Sequence, residues 1–146
     1  MKCQDIMTSS PKSVSFSSTA MQAAHIMKNE NVGVLPVMDD KTHKLVGMVT
    51  DRDLCLGVIA EGKKPGGVKV SEFMNPKVIF CHPTDDIHNA ESLMKAYQVR
   101  RIAVVDQNGL CVGIISQADI ALKVARPQEV YETVREISNP KKLAAV

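Results

Sequence analysis

The stretch Gly47-Met48-Val49-Thr50-Asp51-Arg52-Asp53-Leu54 decides how the rest of the chain is read. A glycine and an apolar β run lead to a hydroxyl residue. A carboxylate follows three places on, and an amphipathic helix opens there. The pattern returns as Gly113-Ile114-Ile115-Ser116-Gln117-Ala118-Asp119-Ile120. A strand that ends in a hydroxyl and feeds a helix N-terminus gathers side-chain oxygens and free backbone N–H groups in one place. Such a corner suits polyhydroxyl and anionic ligands, and it occurs twice.

The similarity extends outward from these corners. Sliding the sequence by 67 residues lays Met7 on Met74, Ala23 on Ala90, Met27-Lys28 on Met94-Lys95, Val37 on Val104 and Asp39 on Asp106. After a turn that differs by one residue, a slide of 66 lays Val46-Gly47 on Val112-Gly113 and Asp53 on Asp119. The matches fall on apolar and turn positions, as a duplication leaves them. Repeat 1 is expected at 1–61, a charged glycine-rich linker at 62–69, repeat 2 at 70–126, and a C-terminal helix and tail at 127–146.

Each repeat reads as β-α-β-β-α after a short lead-in at 3–8 or 70–75. Brief strands are predicted near 13–15 and 78–81. Helices follow, capped by Ser17 or Ser18 and by Thr84 or Asp85, ending near 29 and 97. The apolar runs 34–38 and 102–105, then 45–49 and 110–115, have strand length and belong in sheets covered by helices. Second helices are predicted over 51–60 and 117–125, a last one over 128–137, and a loose tail over 141–146. The fold class is α+β. A unit of about 65 residues is marginal alone, so the halves are expected to pack sheet to sheet about a pseudo-twofold axis, with both corners in the groove between them.

Composition narrows the function classes. Hydrophobic residues make up 45% of the 146, the net charge is +2, aromatics are 3% and Trp is absent. So mild a charge with so few rings gives no basis for a nucleic-acid surface. Cys3, Cys55, Cys81 and Cys111 form no CxxC pair, which suits reduced thiols. No run approaches the ~20 apolar residues of a membrane span, and the N-terminus has no signal-peptide pattern. A cytoplasmic location is expected.

Asp5-Ile6-Met7-Thr8, Val32-Gly33-Val34-Leu35-Pro36-Val37 and the 45–54 stretch resemble the cystathionine-β-synthase (CBS) type domain. So do Glu72-Phe73-Met74, Val99-Arg100-Arg101-Ile102-Ala103-Val104-Val105-Asp106 and 110–120. Together they resemble a stand-alone CBS pair, or Bateman module, over about residues 1–125. The resemblance implies binding of AMP, ADP or ATP, or of S-adenosylmethionine, with no required cofactor. It implies that Thr50 with Asp53, and Ser116 with Asp119, hold ribose and phosphate. Arg100 and Arg101 occupy the place where the family meets phosphates, whereas the first repeat has Gly33 and Val34, so unequal sites are expected. Ala103 stands where the first repeat has Pro36. A homodimer and a separate, unknown regulated protein are also implied.

The residues allow this chemistry and a plainer one. A carboxylate accepts from both hydroxyls of a ribose, and a hydroxyl donates to phosphate. The same pairs are capping boxes worth about 1 kcal/mol each. Ile6, Val14, Val34, Leu35, Pro36 and Ile102 could form an aliphatic adenine slot, and each also reads as core. Arg100 and Arg101 could fork onto phosphate or lie solvated. His25, His43, His82 and His88 are not spaced to put two ligands on one face, so no metal site is predicted. There is no nucleophile–base set and no phosphate loop in the sequence. The expected role is a non-enzymatic adenine-nucleotide sensor; the alternative is a ligand-free structural or interaction module.

Overall fold

The chain opens with a one-turn helix, α1 (Cys3–Ile6), and a two-residue strand, β1 (Thr8–Ser9). Past Pro11 come β2 (Val14–Ser15), α2 (Ala20–Glu30), β3 (Val34–Met38), β4 (Leu45–Thr50) and α3 (Asp51–Leu54). The second repeat follows the same order with β5 (Phe80–Cys81), α4 (Ile87–Tyr97), β6 (Arg101–Val105), β7 (Cys111–Ser116) and α5 (Gln117–Lys123). A last helix, α6 (Pro127–Ser138), starts on a proline that has no N–H to leave unpaired and packs on α4 and α5. These come from a computed structural model that describes residues 1–140; the tail expected at 141–146 lies outside the described residues.

In each repeat the helical crossover makes the outer pair of strands parallel, and the short turn makes the next pair antiparallel. A bulge falls at Val37/Met38 and again at Val104/Val105. The equivalent helices α2 and α4 each end on a left-handed residue, Asn31 at φ 52° and Gln98 at φ 51°.

Helix starts differ from the sequence expectation. Thr19, not Ser17 or Ser18, caps α2, because its Oγ1 accepts from the Gln22 N–H (3.2 Å) while Gln22 Oε1 accepts from the Thr19 N–H (2.9 Å). Asp86, not Thr84 or Asp85, caps α4 by accepting from the His88 N–H at 2.9 Å. The helix predicted over 51–60 is α-helical only to Leu54 and then widens into a π turn, Cys55–Ile59. There Gly57 leaves room for Phe73, whose Cβ lies 2.9 Å from where a Cβ on residue 57 would sit.

The compact units of the fold cut across the sequence repeats. The chain forms two such units, and each combines parts of both repeats. One unit holds Pro11–Val78 with Asn108–Leu110, and therefore includes the lead-in of the second repeat. The other holds Met1–Ser10, Ile79–Gln107 and the described residues from Cys111 to Pro140, so it includes the lead-in of the first. In this second unit β1 pairs antiparallel with β7, Thr8 opposite Ile114 and Ser9 opposite Gly113, giving the order β1-β7-β6-β5. In the first unit the order is β2-β3-β4, and Asn75 trades backbone hydrogen bonds with Met48 at 2.9 and 3.0 Å. Thr8 and Asn75, like Ile114 and Met48, are equivalent positions of the repeat.

Each exchanged lead-in also reaches its host core. Ile6 is 2% exposed in the core around Ile102, Ile115 and Ile120, and Val70 is 0% exposed beside Leu35, Val37 and Val49. Burying such side chains contributes about 1.5–3 kcal/mol apiece. Contact with the host strand depends on glycine. A Cβ on Gly47 would meet Met74 Sδ at 2.6 Å and the Asn75 carbonyl at 3.0 Å, and one on Gly113 would run into Met7 Sδ and its Cγ at 2.9 Å. Lys123 adds a tie in the second unit, donating to the Ile6 carbonyl (2.8 Å) and to Asp119 Oδ1 (2.9 Å).

Gly113→Ala is therefore expected to destabilise by about 1–3 kcal/mol through overpacking against the stem of Met7. Gly66→Ala, which meets nothing within 4 Å, should stay within about 0.5 kcal/mol; urea unfolding of both variants checks this. A pH effect follows from Asp119. Burial alone would raise its carboxyl, but Lys123 and the Ser116 N–H and hydroxyl outweigh burial and hold it below the usual carboxylate value. A depressed folded value gives stability that is present above the unfolded value of about 3.9 and lost as pH falls through the folded one. Asp119→Asn should make the acid limb of Tm against pH shallower below about pH 4.

Candidate functional site

The first corner joins β4 to α3. Thr50 Oγ1 accepts from the Asp53 N–H at 3.1 Å, and Asp53 Oδ2 accepts from the Thr50 N–H at 2.9 Å. This is the capping box read from the sequence. Asp53 Oδ1 makes no hydrogen bond among the described residues, and the side chain is half-buried. Asp51 sits beside it, its N–H donating to the Gly33 carbonyl at 3.0 Å. The Asp51 carboxylate lies over Gly33, 3.0 Å from where a Cβ there would be. In register, Val34 is opposite Thr50.

The second corner joins β7 to α5 and repeats the backbone plan. Asp119 N–H donates to Ser116 Oγ (3.1 Å), and Asp119 Oδ2 accepts from the Ser116 N–H (2.8 Å) and hydroxyl (2.7 Å). The Gln117 N–H donates to the Arg100 carbonyl at 2.8 Å, as Asp51 does to Gly33. Arg101 is opposite Ser116, as Val34 is opposite Thr50. Two features differ: Asp119 Oδ1 is taken by Lys123, and Arg100 and Arg101 flank the corner. Both arginines are exposed, and neither makes an ion pair among the described residues.

Each polar candidate therefore stands at its own corner: Thr50 and Asp53 at one, Ser116, Asp119, Arg100 and Arg101 at the other. The apolar candidates divide. Ile6 and Ile102 belong to the core of the second unit, and Val14 and Leu35 to that of the first, none more than 4% exposed. They pack as core. Val34 and Pro36 are buried outside those core clusters.

One residue was missed from the sequence. Gln117 Oε1 is buried and has no hydrogen-bond partner among the described residues. An acceptor so placed costs about 1–3 kcal/mol until a donor reaches it. Its signal was its position, since it fills the place of Asp51 between the hydroxyl and carboxylate of the motif. His88, Glu91 and Glu129 also come together in the second unit, one ligand atom of each within 4.8 Å of the others. Glu91 is one helical turn from His88, and Glu129 is on α6.

All four cysteines are free thiols, as their spacing suggested. Burial pushes the Cys111 thiol up to about 11, which keeps it protonated and inert at neutral pH. No helix among the described residues is long and apolar enough to cross a membrane.

Against known proteins, the CBS domain family matches residues 3–59 and 70–126. The CBS domain-containing protein YhcV of Bacillus subtilis is 36% identical over 136 residues, covering 93% of this chain and 94% of that protein. The crystal structure of Hypoxic Response Protein I with two coordinated zinc ions is 30% identical with a TM-score of 0.76, covering 85% of this chain and 99% of that one. The CBS domain pair of protein MJ0100, in complex with 5′-methylthioadenosine and S-adenosyl-L-methionine, is 29% identical with a TM-score of 0.73, covering 83% of this chain and 97% of that one. With both repeats matched and its α+β fold shared, the chain belongs to the CBS domain family and carries two CBS domains in tandem.

Proposed function

We propose that this chain is a non-enzymatic regulatory module that binds an adenosine-containing ligand of the AMP, ADP or ATP class at its strand-to-helix corners and signals by a conformational or dimer change. The observation that carries this reading is unused hydrogen-bonding capacity at both equivalent corners, Asp53 Oδ1 at one and the buried Gln117 Oε1 at the other. Both accept only, so they suit ribose hydroxyls and the adenine amino group. Arg100 and Arg101 supply the positive charge that phosphate needs. The first corner, with Asp51 and Asp53, suits the neutral hydroxyls of a sugar. Val34 and Pro36 offer aliphatic surface for the base. The adenosyl compounds bound to the CBS pair of MJ0100 support the ligand class.

These acceptors suit a ligand that is held and sensed. Leu122, Ile59 and Tyr131 are exposed at 83%, 70% and 61%, and such helix-borne apolar surface supports a homodimer whose regulated target is a separate molecule. The structural-module alternative accounts for the capping bonds but leaves Gln117 Oε1 unexplained.

A thermal-shift panel of AMP, ADP, ATP and S-adenosylmethionine is expected to show stabilisation of about 2.7 kcal/mol at 100 times the dissociation constant, with no hydrolysis of ATP. Gln117→Leu should leave Tm unchanged or higher, because the orphan acceptor is gone, yet weaken binding at least about tenfold, as for one lost hydrogen bond. Arg100→Ala with Arg101→Ala should weaken ATP more than S-adenosylmethionine. If no adenosyl compound shifts the wild-type chain, the sensor reading falls and the structural module stands.

A further inference from the structure

Helix α4 carries His88 and Glu91 one turn apart, so the two project from the same side of it. Helix α6 packs against α4 and brings Glu129 to them. One ligand atom from each of the three residues lies within 4.8 Å of the other two. His88 Nε2 and Glu129 Oε2 are 3.1 Å apart. That is about the separation of two donors sharing one ion at roughly 2.0–2.2 Å from each.

Three further observations point to a cation there. His88 Nδ1 is 2.6 Å from Asp86 Oδ1. With Nδ1 engaged by Asp86, Nε2 is the ring atom that faces Glu129 and Arg126. This is the carboxylate–histidine arrangement that orients a metal ligand. Asp86 is itself fixed, because the same oxygen caps α4 through the His88 N–H at 2.9 Å. Next, Glu91 is 3% exposed, and its Oε1 is buried with no hydrogen-bond partner among the described residues. Its other oxygen is 3.9 Å from Arg126 Nη2. A carboxylate that deep is costly without close neutralisation. Finally, Arg126 Nη1 approaches both His88 Nε2 and Glu129 Oε2. A guanidinium therefore stands where positive charge is wanted, on a side chain that is 32% exposed and long enough to swing into solvent.

We propose that His88, Glu91 and Glu129 bind a divalent transition-metal ion of the Zn²⁺ type, with Arg126 as the internal cation that holds the place and yields it when the metal enters. One imidazole nitrogen and two carboxylates favour Zn²⁺, Co²⁺ or Mn²⁺ over a thiolate-seeking ion, and the imidazole disfavours the all-oxygen preference of Ca²⁺ or Mg²⁺. With Arg126 in place the two glutamates are half neutralised; a divalent ion neutralises both. The ion would clamp α6 to α4. Glu129 lies beyond residues 70–126, which the CBS family matches, so one of the three ligands comes from outside the matched repeat. It rests on these side chains and not on the zinc of the relative, and it is independent of the adenosyl reading.

The full chain, stripped with EDTA and titrated with ZnCl₂ and CoCl₂ by calorimetry, is expected to take up one ion per chain at this site and to gain thermal stability. The cobalt form should show visible bands of a nitrogen–oxygen site without a near-ultraviolet thiolate charge-transfer band, which separates it from binding at exposed Cys55. His88→Gln and Glu129→Gln should each weaken uptake at least about tenfold, the size of effect typical of metal-site changes, while Arg126→Met should tighten it by removing the competitor. His88 is 60% exposed, so His88→Gln remains a fair test should Glu91→Gln fail to fold. Absence of uptake by both the wild type and Arg126→Met would overturn the proposal, as would uptake that His88→Gln leaves unchanged or a thiolate spectrum.

Discussion

The close approach of a lead-in methionine to a strand glycine is the constraint on which both units depend. Met7 against Gly113 and Met74 against Gly47 let a segment from one repeat lie on the sheet of the other. Backbone bonds of Thr8–Ser9 and Asn75 complete those strands, and Ile6 and Val70 fill the cores beneath them. The glycines are three residues ahead of Thr50 and Ser116. The same strands that receive the exchanged segments thus end in the polar corners, and a disturbance at the glycine is felt where the helix starts.

The two corners share a backbone plan and differ in charge. Asp51 and Asp53 mark the first; Arg100, Arg101 and Lys123 surround the second. Equivalent hydrogen bonds to Gly33 and Arg100 show that the difference lies in side chains and not in geometry. Capping and ligand contact are compatible in such a place. The box uses Asp53 Oδ2 and leaves Oδ1, while Gln117, which takes no part in its box, keeps a buried acceptor.

Much of this was legible in the sequence because it is local. The run 34–38 is a strand end to end, and the hydroxyl-x-x-carboxylate pairs are the capping boxes that their spacing announced. Helix starts were off by one or two residues because several hydroxyl and acidic residues stand in line at each N-terminus and only geometry selects among them. The exchange of lead-ins left no mark, since two residues of edge pairing carry no periodicity. The meeting of His88 with Glu129 was equally silent: 41 residues separate them, and the packing of α6 on α4 brings them together. The fit of Gly57 against Phe73 is likewise a tertiary contact that no local pattern announces.

The traded lead-ins have a consequence for any half of this molecule made separately. A polypeptide ending in the linker would hold α1 and β1 with no β7 to receive them, while its own β4 would lack Asn75. A second copy of such a fragment has the segment that each lacks, so a domain-swapped dimer is one way to finish the sheet, and joining two copies end to end turns that intermolecular trade into an internal one.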